Sequence, residues 1–385
     1  MNSRKLNAVL KTAASSMFLL ALLTLNVTQA QAQTETVLHR FTGGADGAHP
    51  RAGLVLDALG NLYGTTDLGG AYGLGTVFQI APAGKLRVLY AFQGGSDGQQ
   101  PRSTLVRDAE GDLFGTTAFG GAFGEGTVFE ITRTGKKKLL HAFMGGADGA
   151  EPGGMIRDGQ GNLFGTTIGG TVFEIAANGT EKTVYLFQGI PDGAAPFGDL
   201  IEDGKGNFYG TTFYGGVYGN GTVFELDHNG QEKVIYSFQG FSNGRKDGVE
   251  PFGGVVRRNG KLFGTTWVGG PSDVGTVFEI APDGTEKLLQ TFQIGTGGSY
   301  PTASLIVDES GNLQGTTYFG GTNGFGTVFE ITPDGVLTTL YNFQGNTDGA
   351  GPQSKLVRDK QGNLYGTTYA GGPTDNGTVY KLVLP

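Results

Sequence analysis

Apolar and β-branched residues in this 385-residue chain come in short blocks separated by glycine-rich polar stretches. The stretch from Gly111 to Ile131, G-D-L-F-G-T-T-A-F-G-G-A-F-G-E-G-T-V-F-E-I, shows the arrangement and recurs seven times. Its G-T-T element falls at Gly64, Gly115, Gly165, Gly210, Gly264, Gly315 and Gly366, at intervals of 45 to 54 residues. Each G-T-T is followed by T-V-F or T-V-Y, from Thr76-Val77-Phe78 to Thr378-Val379-Tyr380. A period of that length over nearly the whole chain means repeat architecture, in which units bury their apolar faces against neighbours.

One unit, from Pro101 to Phe143, resolves into four strands. Ser103 to Arg107 is a short apolar run after a proline and reads as the first strand. The turn Asp108-Ala109-Glu110-Gly111 follows, with Asp and Gly supplying the bend. Leu113 to Thr117 is the second strand, in which Gly115 removes a side chain where another backbone or sheet must come close. A glycine-rich loop, Ala118 to Glu125, leads to the third strand at Thr127 to Ile131, and Lys136 to Phe143 forms the fourth. Four short antiparallel strands repeated seven times predict an all-β fold, a seven-bladed β-propeller.

The chain ends support a closed ring. The last repeat stops after its third strand, Thr378 to Leu382, and the missing fourth strand stands at the other end, where Glu35 to Phe41 aligns with Arg87 to Phe92. The N-terminal strand is therefore expected to complete the last blade and remove an open sheet edge. Two units depart from the pattern. The third has Ile168 and Gly169 where the others hold eight residues between second and third strands, which predicts a notch in one rim. The connection from Phe238 to Pro251 is longer than the rest and carries Arg245 and Lys246, a basic protrusion. The long loops share one face of the ring, where a binding site is expected.

Composition narrows the setting. Glycine makes up 72 residues, far above the usual share of about 7%, and it sits at fixed places in the repeat, as many tight turns require. Residues 1–32 read as a secretory signal peptide: Arg4, Lys5 and Lys11 precede an apolar run from Ala13 to Val27, and Ala30-Gln31-Ala32 is a small-x-small cleavage site. Residues 33–385 then form the propeller, with no further apolar run long enough to span a membrane. Loss of the leader takes the net charge from −8 to −11, which disfavours nucleic acid and anionic membranes as partners. Cysteine is absent, excluding disulfides and thiolate chemistry. A secreted monomer is expected, extracellular or periplasmic.

The unit L-Y-G-T-T-x-x-G-G-x-x-G-x-G-T-V-F-E-I, followed by a strand ending in Phe and then D-G-x-x-P, resembles the GloVer tandem repeat of secreted bacterial proteins across the whole mature chain. The resemblance implies a propeller-like repeat protein and offers no catalytic residue to transfer. The double glycine after the second strand is also similar to kelch repeats, without their aromatic pattern.

Candidate chemistry is sparse. The D-G-x-x-P aspartates (Asp46, Asp97, Asp148, Asp192, Asp247 and Asp348) suit a hard cation or a simple turn, and no second carboxylate stands at calcium-loop spacing. His39 and His141 share one repeat position, and Glu130, Glu174, Glu225, Glu279 and Glu330 share another, so both sets read as structural variants. No cofactor and no metal site is expected. The long-loop aromatics Phe119, Phe213, Tyr214, Trp267, Tyr318, Phe319 and Tyr369 either stack on sugar rings and protein partners or pack between blades. Arg51, Arg102, Asp199 and Lys355 lie near the starts of first strands and form either a polar site at the channel entrance or a solvated wall. Three functions remain open: a binding module for a glycan or extracellular protein, a polysaccharide lyase or hydrolase, and a purely structural protein.

Overall fold

A computed structural model describes residues 33–240, 247–295 and 297–384. The leader (1–32) and the Arg245-Lys246 protrusion lie outside the described residues. The remainder is a seven-bladed β-propeller, each blade a four-stranded antiparallel sheet in sequential order from the channel outward. Blade seven is the exception in order: its outermost strand is Thr34–Arg40, which pairs antiparallel with Thr378–Val383. The chain's two ends thus close the ring as expected.

The second and third strands match the sequence reading to the residue, at Leu113–Thr117 and Thr127–Ile131 in blade two. Both faces of these sheets are covered, which explains the unbroken apolar runs. Val77 and Phe78 are neighbours in one strand and point to opposite faces. Val77 is buried against blade two with Phe92, Leu105 and Phe129, and Phe78 against blade seven with Phe41, Leu54 and Val379. The core is accordingly divided into apolar clusters, one at each blade junction. A Phe ending one blade's outer strand meets the T-V-F Phe of the next edge-on, with ring centroids 5.1 Å apart for Phe92 and Phe129.

Two expectations need correction. In blade two the first strand is shorter than predicted, with ladder pairing only at Val106–Arg107, whereas in blade three it runs over Pro152–Arg157. Its leading half approaches the axis, where a serine side chain takes over a ladder role: Thr116 N–H donates to Ser103 Oγ at 3.1 Å. The glycine of G-T-T makes room for a side chain of its own sheet rather than for another backbone. Gly115 pairs with Phe129, and a Cβ there would stand 2.6 Å from the Phe129 ring.

The threonines of G-T-T have separate jobs. In five blades the first reaches the next blade, as when Thr116 Oγ1 donates to Gly153 O at 2.8 Å and Thr367 Oγ1 to Ala52 O at 3.2 Å across the closure. The second bonds to the T-V-F threonine of its own blade, Thr117 Oγ1 to Thr127 Oγ1 at 2.7 Å. The D-G-x-x-P aspartates cap their own turns. Asp192 accepts the Tyr185 hydroxyl at 2.8 Å and the Gln188 N–H, and His141 replaces that tyrosine opposite Asp148. Among the described residues no helix is long and apolar enough to cross a membrane.

Candidate functional site

The residue before each first-strand proline is the hinge of the mouth. His49, Gln100, Glu151, Ala195, Glu250, Tyr300 and Gly351 all take a left-handed conformation, with φ between 52° and 63°. That conformation aims one peptide at two blades. The Gln100 N–H donates to Leu74 O of blade one at 2.9 Å, and its carbonyl accepts from Ala118 N–H of blade two at 3.0 Å. Glycine makes this bend without strain, as Gly351 does, whereas each other residue costs about 1 kcal/mol. Six side chains are therefore kept at the mouth against a standing conformational penalty. Sequence reasoning missed this ring. The signal was there, since the position before Pro varies inside an otherwise constant motif.

Arg51, Arg102, Asp199 and Lys355 all line one cavity of about 170 Å³ at the axis, together with Glu151, Phe197, Phe252, Thr302 and Gln353. Every blade contributes to it. The wall has two characters. Blades one and two are charged: Arg102 Nε donates to Asp67 Oδ1 at 2.9 Å and Arg51 Nε stands 3.8 Å from Asp67 Oδ2. The Asp67 side chain is only 5% exposed, so two guanidiniums share one buried carboxylate. Each guanidinium also lies over a ring, Arg51 at 4.7 Å from the Tyr369 centroid and Arg102 at 5.2 Å from that of Phe119. Asp67 was not anticipated, because it stands alone among Ala, Ile, Phe, Trp and Tyr at the position after G-T-T.

Blades four to six are aromatic. Phe197 and Phe252 stack at 4.9 Å with planes 12° apart, and Phe213 meets both edge-on. Contacts then run from Phe213 to Trp267 at 6.0 Å, to Tyr300 at 6.1 Å, to Phe319 at 6.0 Å and to Tyr318 at 4.5 Å. Burial, with Tyr369 beside it, raises the Tyr318 phenol above its ordinary pKa, while Arg51 opposes the shift. Tyr369 in turn stacks on His49. The candidate aromatics divide accordingly: Trp267 (37%), Tyr214 (50%) and Phe319 (51%) are exposed, Phe213 is buried at 5%, and Phe119, Tyr318 and Tyr369 are half-buried.

Asp199 and Lys355 are the charged members of a repeat position held elsewhere by Gly53, Thr104, Gly154, Gly254 and Ser304. The Asp199 carboxylate lies against the Cα of Gly154, where a Cβ has no room. Burial pushes the Asp199 carboxyl above the usual range, and the Lys355 ammonium pulls it back. Between the two wall types, blade three joins its second and third strands through residues 168–170 alone, so the rim is low there.

The Gloeobacter/Verrucomicrobia repeat matches residues 24–170 and 200–385. The chain belongs to this repeat family. None of the curated proteins compared matches it. Solved propellers share the fold of this Gloeobacter/Verrucomicrobia repeat protein at low identity. Virginiamycin B lyase from Staphylococcus aureus superimposes with a TM-score of 0.62 at 15% identity, covering 92% of this chain and 99% of the lyase. An extracellular domain assigned to a hybrid two-component system of B. thetaiotaomicron gives 0.61 at 11% identity, covering 90% of this chain and 39% of that one.

Proposed function

We propose that the protein is a secreted, non-enzymatic binding propeller whose mouth holds a carbohydrate. The observation that carries this reading is the aromatic arc from Phe197 to Tyr318, which includes the exposed rings Trp267 and Phe319 and faces a wall of two arginines. Sugar rings present apolar C–H faces and polar edges, and such a ligand needs flat rings and fixed donors together. Strain retained at six mouth positions supports a role for those side chains beyond the backbone. The test is a glycan-array screen of the purified protein with Trp267→Ala alongside. Binding lost in the variant, with the unfolding temperature unchanged, supports the reading; no binding to any glycan shifts it to a protein ligand.

A second reading, a polysaccharide lyase or hydrolase, draws on the convergence of Arg51, Arg102, Asp199 and Lys355 on one cavity. There Asp199, its carboxyl raised by burial and opposed by the Lys355 ammonium, would serve as a general acid. It predicts release of new chain ends from a bound polysaccharide, lost in Asp199→Asn without loss of binding.

A further inference from the structure

We propose that blades two and three share a site for a borderline divalent cation of the Zn²⁺ type, held by His141, Asp148 and Glu181. His141 and Glu181 stand on the outermost strands of their blades, and Asp148 on the turn that follows the first of them. Nε2 of His141 stands 3.1 Å from Asp148 Oδ1, and the side chains are 17% and 11% exposed. One ligand atom from each of the three residues lies within 4.8 Å of the others. Tetrahedral zinc with bonds of about 2.0–2.2 Å sets its ligand atoms roughly 3.3 Å apart. The His141–Asp148 separation already fits that edge, and Glu181, with a carboxylate oxygen within 4.8 Å of both, offers the third ligand. Among the described residues Glu181 Oε1 is buried with no hydrogen-bond partner.

The other junctions show what makes this one different. The same three positions hold Tyr185, Asp192 and Glu232 between blades three and four, and Tyr341, Asp348 and Glu35 between blades six and seven. In both, a phenol donates to the aspartate and supplies no imidazole nitrogen. Between blades one and two they hold Tyr90, Asp97 and Lys137. There a protein cation, Lys137 Nζ, sits 2.8 Å from Asp97 Oδ1 in the place that Glu181 takes one blade on. Where the ring closes they hold His39, Asp46 and Leu86, which leaves two ligands. Among these, imidazole, aspartate and glutamate coincide at blades two and three. A bound cation there does for that junction what the Lys137 ammonium does for its neighbour.

The repeat itself supplies substitutes that fit the fold. Untagged protein is titrated with Co²⁺, whose visible absorption reports tetrahedral coordination by imidazole and carboxylate, and Zn²⁺ competes. One equivalent is expected to bind. His141→Tyr, the residue of blades one, three, four and six, and Glu181→Leu, that of blades one and six, each weaken binding by about tenfold or more. Leu86→Glu beside His39 and Asp46 adds a second equivalent. Absence of a tetrahedral Co²⁺ signal in the parent protein, or an equal signal in His141→Tyr, overturns the proposal. Circular dichroism of each variant separates lost ligation from lost fold.

Discussion

The outer blade junctions and the channel mouth are built from the same repeat under opposite rules. At the junctions, residues change in concert so that a contact survives. Tyr or His sits opposite the turn aspartate wherever the aspartate is present, and where Gly297 replaces it the tyrosine position holds Gln290. At the mouth, residues change while the backbone survives. His49, Gln100, Glu151, Glu250 and Tyr300 share one φ and one hydrogen-bond pattern yet have little chemistry in common. Constant contacts mark what the fold requires, and varied side chains on a constant, strained backbone mark what it presents.

If that division is right, damage to the junctions costs stability and damage to the mouth costs binding. The largest effect should follow removal of residues 33–41, which strips the partner strand from Thr378–Val383 and takes Phe41 out of its core cluster. Loss of the cooperative unfolding transition, or aggregation through the exposed edge, is expected by circular dichroism and light scattering. Next, Phe278→Ala empties a fully buried position against Phe238 and should cost about 3–5 kcal/mol in urea unfolding. Trp267→Ala, at a mouth ring 37% exposed, should cost less than about 1 kcal/mol. A comparable loss from the two would erase the distinction.

Smaller effects sharpen it. In blade seven Tyr380 replaces the T-V-F phenylalanine, and among the described residues its buried hydroxyl has no hydrogen-bond partner. Tyr380→Phe should raise stability by about 1 kcal/mol, measured by the urea midpoint. The junction carboxyls also titrate. Burial, with Asp348 beside Glu35 and Asp192 beside Glu232, lifts both groups from 4.5 to about 7. A proton held more tightly in the folded state stabilises fully below pH 4.5 and ceases to do so as the pH rises through 7. The unfolding temperature should therefore fall between pH 5 and pH 8, and the double variant Glu35→Gln, Glu232→Gln should flatten that fall. An unchanged slope would mean that these two carboxyls are not the groups that set it.

The sequence exposed what depends on period and was blind to what depends on juxtaposition. The second and third strands and the ring closure follow from spacing, and they matched to within a residue. The first strand did not, because Ser103 replaces ladder bonds with a side-chain one. Gly115 could be read as a close approach, but only the folded sheet shows that Phe129 makes it. The convergence of Arg51 with Asp67, and of His141 with Glu181, joins residues 16 and 40 positions apart through the ring and leaves no local mark.

The closing strand also fixes an orientation. Thr34 lies opposite Val383, while Arg40 lies opposite Thr378 at the mouth side. Both ends of the paired strands consequently leave the ring on the face away from the mouth, side by side. Anything joined at either end would sit beneath the disc and leave the aromatic bowl turned outward, like a dish on its mast. Pulling on both ends would part the two strands one hydrogen bond at a time, so the seal of the ring is also its mechanical weak point.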